Sequence, residues 1–123
     1  KKLRAEEADL LDRDAALVPD SADVYYRLGL LRYLLGEYTA ASLALTKACE
    51  LAPANFDFRM ALALLEEKWY EQDSDRAHFD AAVASLKKLA ELRPRDPRIT
   101  LILQRITATR LAKEAKTRPP RSP

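Results

Sequence analysis

"RLGLLRYLLGEYTAASLALTKACELAP", residues 27–53, decides the fold. Large apolar side chains recur at helical spacing, as at Leu28, Leu31 and Leu35, yet Gly29, Gly36, Ala41 and Ala48 stand among them. The spacing predicts two helices that meet at Gly36, a residue suited to the left-handed conformation at a helix end. Helices joined by a turn of about two residues run antiparallel and in contact. Gly29 and Ala41 are expected to let the two backbones approach closely. Ala48, two turns after Ala41 on the same face, is expected to make room for a following helix pair.

Outward from this stretch the pattern repeats. Pro19 and Pro53 stand 34 residues apart, and Pro94 follows 41 further on, one period plus seven. Each closes a similar phrase: "AALVPDS", "ACELAPAN" and "LAELRPRD". Leu28 and Leu62 are also 34 apart. Fixed self-similarity of this kind marks a stack of supersecondary units.

Breakers and caps divide the chain into about six helices. The first runs from about Leu3 to Leu17, with Ala8, Leu11 and Ala15 on one face. Asp20 or Ser21 caps the second, about Ala22 to Leu35. The third covers about Tyr38 to Leu51. Asn55 caps the fourth, about Phe56 to Tyr70, and Ser74 or Asp75 opens the fifth, to about Leu92. Asp96 before Pro97 is a strong start signal for the sixth, to about Lys116. "TRPPRSP" cannot continue a helix and reads as a tail.

Tyr25, Leu28, Gly29, Gly36, Tyr38, Ala41, Leu45, Ala48 and Pro53 occur in the order and spacing of one tetratricopeptide repeat (TPR), and the segment resembles that family. Arg32 departs from it, at a place where the family usually has an aromatic residue. A degenerate second unit places Arg59, Leu62 and Ala63 where Tyr25, Leu28 and Gly29 stood. Phe79, Ala82, Leu86, Leu89 and Pro94 then match Tyr38, Ala41, Leu45, Ala48 and Pro53, with seven extra residues around "KWYEQDSDRAH". The resemblance implies an all-α, right-handed α-solenoid of antiparallel helix pairs. Its parts are the second helix of a preceding partial repeat (1–19), a TPR-like repeat (20–54), a degenerate repeat with insertion (55–95), a C-terminal capping helix (96–116) and a basic Pro-rich tail (117–123). Trp69 and Tyr70 are expected to extend the fourth helix past the normal turn, with Trp69 partly buried against helix five or six.

Composition agrees with a folded helical domain: 123 residues, 48% hydrophobic and 33% charged, with two glycines. No apolar run approaches the roughly 18 residues that span a bilayer. The chain opens at Lys1 in mid-pattern, as a fragment of a longer protein would, so a missing targeting signal carries little weight. Charge is asymmetric. Residues 1–92 carry 12 Lys and Arg against 17 Asp and Glu, whereas residues 93–123 carry 9 against 2.

Nothing in the sequence assembles a catalytic constellation, and neither enzymatic activity nor a cofactor is expected. Cys49 has no partner for an internal disulfide and reads as a small core or boundary residue. His78, beside Asp80 and near Asp75, reads as a solvated residue. Glu66, Glu67, Glu71, Asp73 and Asp75 read as a solvated acidic stretch, and no metal site is expected.

The resemblance implies a binding surface on the concave face, lined by the first helix of each pair. Tyr26, Leu30, Tyr33 and Leu34 should point there from helix two, Met60, Leu64, Glu67 and Lys68 from helix four, and Arg98, Leu101 and Arg105 from helix six. Some family members grip a peptide's terminal carboxylate with Lys and Asn on this face. Here those places hold Tyr26, Leu30 and Ala61, so that clamp is absent. The expected surface is apolar and aromatic with a basic edge. It suits a peptide, a neighbouring domain or a second copy of the chain, and Arg98 and Arg105 would favour acidic groups on the partner.

The basic end, from Arg93, Arg95, Arg98, Arg105, Arg110, Lys113 and Lys116 to Arg118 and Arg121, has three readings: a solubilising cap, an attraction for an acidic protein, or a nucleic-acid contact. The last lacks a base-stacking aromatic anywhere in residues 93–123. "RPPRSP" also holds a short Pro-x-x-Pro match. The function expected is protein–protein interaction or scaffolding. The alternatives are a nucleic-acid-binding module using the basic C-terminal helix, and a spacer tethered to a catalytic or redox domain outside this fragment.

Overall fold

The computed structural model describes residues 2–17 and 20–117, the Ala15 side chain excepted. The expectations for Pro19, for the tail beyond Thr117 with Arg118 and Arg121, and for Ala15 on its helix face lie outside the described residues. Within them the chain forms six helices and no strand: α1 (Lys2–Leu17), α2 (Ala22–Leu34), α3 (Tyr38–Leu51), α4 (Phe56–Asp73), α5 (Arg76–Leu92) and α6 (Pro97–Thr117). Each helix packs on its chain neighbour in a TPR-like solenoid. α4 also touches α2 and α6, so these three form one layer.

Side-chain caps set the starts. Ser21, rather than Asp20, accepts the Val24 N–H, and Asn55 accepts that of Phe58 at 3.0 Å. Asp75, rather than Ser74, caps α5 through the Ala77 N–H, and Asp96 accepts the Arg98 N–H ahead of Pro97. α2 ends in a Schellman turn. The Gly36 N–H donates to the Tyr33 carbonyl and the Glu37 N–H to that of Arg32, both at 2.9 Å, with Gly36 at φ +79°.

The tight spot between α2 and α3 lies at Leu45 rather than Ala41. A Cβ built on Gly29 would fall 2.5 Å from Leu45 Cγ, and Leu45 is 1% exposed. Gly29 is small so that a leucine can seat on the α2 backbone. Leu45 joins Ala41, Ala48, Cys49, Phe58, Leu62 and Leu65 in the first core cluster. Phe56, Met60, Ala63, Leu86, Leu89, Ile99 and Ile102 form the second, which docks α6 on α4 and α5. α1 is held by a smaller cluster of Ala8, Leu28 and Ala44. Cys49 lies inside the core, where burial pushes its thiol up and keeps it unreactive.

The extra seven residues are helical. α4 is five residues longer than α2 and α5 three longer than α3, while the turn between them is one shorter. That adds about one turn to each helix of the hairpin and preserves its phase. α4 accordingly runs three residues past Tyr70, and Trp69 is partly buried, stacked on His78 of α5 with ring centroids 3.7 Å apart.

Candidate functional site

The α2–α4–α6 layer encloses a groove of about 530 Å³. Tyr26, Leu30 and Tyr33 share one side of α2 through their spacing of four and three residues. Met60 and Leu64 stand 34 residues after Tyr26 and Leu30, on the neighbouring helix. All five line the groove, with Lys68 and Arg105 at its edge. Tyr26 is held by stacking on Phe58, with centroids 4.7 Å apart. Leu34 and Leu101, about half exposed, and Arg98 are not among the lining residues. Met60 contributes little open surface. It is 7% exposed, because Ile99 and Ile102 of α6 cover it.

The expected basic edge is largely neutralised within the chain. Arg105 Nε and Nη2 donate to the two carboxylate oxygens of Glu67, both at 2.6 Å. Arg98 is taken by Asp96 at 2.8 Å, and Lys68 pairs with Glu71 at 3.4 Å. Asp57 has no ion pair among the described residues, so Asp57, Glu67 and Glu71 outnumber the two cations of the lining.

Three residues read from sequence as solvated are not. Glu66 and Glu67 are both buried, at 8% and 9% exposure. Glu67 faces α6 through Arg105. Glu66 points into the α4–α5 interface, where Ser85 Oγ donates to its Oε1 at 2.6 Å. Burial raises the Glu66 pKa to about 7, against the opposing pull of the Ser85 hydroxyl, Arg59 and His78. His78 is sandwiched between Trp69 and Asp73, whose carboxylate lies 3.0 Å from Nδ1. Donor atoms of Asp73, Asp75 and His78 fall within 4.8 Å of one another. Helix-end chemistry accounts for them: Asp73 accepts from His78 and the Asp75 N–H, and Asp75 caps α5.

One period separates Arg32 from Glu66. Both charged residues therefore occupy the place where the resemblance leads one to expect an aromatic. That equivalence was the available signal that Glu66 turns inward. Arg32 reaches α1, pairing with Asp9 and Asp12, and also bonds Glu37 at 2.8 Å.

No helix of the described residues is long and apolar enough to cross a membrane. No curated protein matches the chain. The family model described as a tetratricopeptide repeat matches residues 22–55. Such a repeat suggests a protein-interaction or scaffold module, typically non-catalytic, with protein partners. The match spans the Ser21-capped α2, the Schellman turn at Gly36, α3 and the turn that follows, so this segment of the chain is similar to a tetratricopeptide repeat.

Proposed function

We propose that this chain is a protein-interaction module that seats an apolar peptide segment in the groove between α2, α4 and α6. Residues 55–95 act as a second, lengthened repeat, and α6 closes the array. The observation that carries this reading is the convergence of Tyr26, Leu30, Tyr33 and Leu64 on one open groove. Their apolar surface, left uncovered by α6, supplies the driving force, and apolar patches of this kind mark interaction sites. Tyrosine contributes a large contact area at small entropic cost. Because Arg98 and Arg105 are occupied by Asp96 and Glu67, the partner is recognised by its apolar side chains rather than by acidic groups. The same pairing weighs against the nucleic-acid reading.

Selection from a displayed peptide library tests the proposal. Enriched sequences should carry apolar residues at helical or alternating spacing. Their binding should be lost in the double variant Leu30→Ser, Leu64→Ser, with its helical circular dichroism and melting temperature preserved. Selected peptides that bind the double variant as tightly as the native chain would exclude this groove. Self-association that the same variant abolishes would make a second copy the occupant.

A further inference from the structure

The lengthened end of the α4–α5 hairpin builds a second pocket, of about 440 Å³, against the C-terminal half of α6. Tyr70 lines its floor, with Phe79 packed behind it. Tyr70 and Phe79 meet edge to face, 5.4 Å between centroids, and are buried with Ile106. Cations surround these rings. The guanidinium carbons of Arg76 and Arg110 lie 5.0 and 5.1 Å from the Phe79 centroid, and Lys113 Nζ lies 5.5 Å from that of Tyr70. With Lys116, four cations line the pocket against one carboxylate, Glu114.

These charges are incompletely satisfied. Glu114 approaches Arg110 Nε to 3.2 Å, but without hydrogen-bond geometry, and that buried nitrogen has no hydrogen-bond partner. Arg76 pairs only with exposed Asp80, and Lys116 has no ion pair among the described residues. Lys113 has a structural task. It donates to the Glu71 carbonyl and to Ser74 Oγ, tying off the end of α4. The nearby Asp73 and Asp75 engage His78 and the Ala77 N–H, and neither lines the pocket.

We propose that this pocket binds an acidic peptide segment of a protein partner, its carboxylates received by Arg110 and Arg76 with Lys116 at the rim. Packing on Phe79 restricts both guanidiniums before a ligand arrives, so less rotamer freedom is lost on forming the planar, two-toothed contact that Arg makes with carboxylate. Nucleic acid fits less well. Base stacking needs open aromatic faces, whereas both rings here are buried and already carry the chain's own cations. The site is independent of the apolar groove and exists only because the hairpin is about one turn longer than the α2–α3 pair.

Fluorescence anisotropy with a labelled Glu-Ala repeat peptide at low salt tests the assignment. The native chain should bind it, progressively less as salt rises. Arg76→Gln with Arg110→Gln should weaken binding about tenfold or more, the equivalent of losing roughly one charge-assisted contact. Lys116→Glu should weaken it in the same direction without touching the packed rings, which separates ligand loss from unfolding. Leu30→Ser with Leu64→Ser should leave it unchanged. The assignment is overturned if the native chain ignores the peptide, or if the Arg and Lys variants bind it like the native chain. It is also overturned if a single-stranded oligonucleotide of equal charge binds more tightly and is lost in the same variants.

Discussion

The α2–α3 and α4–α5 hairpins begin 34 residues apart, at Ala22 and Phe56, and treat two corresponding positions in opposite ways. At the closest approach of the helices, the first pair uses Gly29 under Leu45, and the second has Ala63 in the same cluster as Leu86. At the place one period apart on α2 and α4, the first pair turns Arg32 outward to α1, while the second buries Glu66 against Ser85. The turns differ too. Gly36 takes the left-handed conformation freely, whereas Ser74 holds φ +59° with Lys113 of α6 bonded to its hydroxyl. The first hairpin is thus locally self-sufficient. The second depends on polar groups supplied across its own interface and by α6.

Truncating the two buried leucines should expose that difference most strongly. Leu45→Ala leaves a void on the side of Gly29, which has no side chain to help fill it, so its cost should fall near the upper end of core truncations, about 4–5 kcal/mol. Leu86→Ala lies among larger neighbours, Phe56, Met60 and Leu89, that can partly fill the space, and should cost about 2–3 kcal/mol. Urea unfolding of the two variants measures the gap. Equal losses would mean that the glycine contact confers no special dependence on Leu45.

Glu66 should give the second hairpin a pH response that the first lacks. Its carboxyl moves from 4.5 to about 7 on folding, chiefly by burial. A carboxyl with a raised folded pKa binds its proton more tightly in the native state. The stability it contributes is present below about pH 4.5 and lost as pH rises through about 7. Native protein should therefore lose stability relative to Glu66→Gln across that window, by on the order of 3 kcal/mol at its upper end. Arg32 stays charged throughout, so Arg32→Gln should differ from native protein by an amount that barely changes over the same range. Parallel thermal melts of native protein and Glu66→Gln from acid to neutral pH would remove the assignment.

The contrast also marks what a single sequence displays. Leu-Gly, Gly-x-Tyr and the spaced prolines are local signals tied to backbone geometry, and they placed every helix to within a few residues. The lengthened α4 was legible because the apolar pattern continued through Trp69 and Tyr70. On α2, helical spacing puts Tyr26, Leu30 and Tyr33 on one side, and only the resemblance turned that side toward the inner face. The burial of Met60 was not legible, because its cover comes from Ile99 and Ile102, about forty residues away. The neutral edge was half legible. Asp96 stands two residues from Arg98, but Glu67 and Arg105 are separated by 38 and meet only through the packing of α6 on α4.

The smallest expected effect concerns how the first hairpin holds α1. Three carboxylates, Asp9, Asp12 and Glu37, gather on the Arg32 guanidinium, which is itself largely covered. The two α1 carboxylates are exposed, so water and salt screen the pairs, and a sharing network of this kind contributes about 1 kcal/mol or less. Ala8, fully buried against Leu28 and Ala44, keeps the helix attached when the charge is removed. Arg32→Ala should therefore leave the global melting temperature almost unchanged while speeding amide hydrogen exchange throughout α1. α4 and α5 should exchange as before. Raising salt should bring native α1 toward the variant's rate, since screening and substitution remove the same attraction. Arg32→Lys should fall between the two, because an ammonium is a point charge that cannot present a planar fork to several carboxylates at once. Equal acceleration in α1 and α5 would show instead that Arg32 supports the whole array, and the division into a self-sufficient first hairpin and a dependent second one would fail.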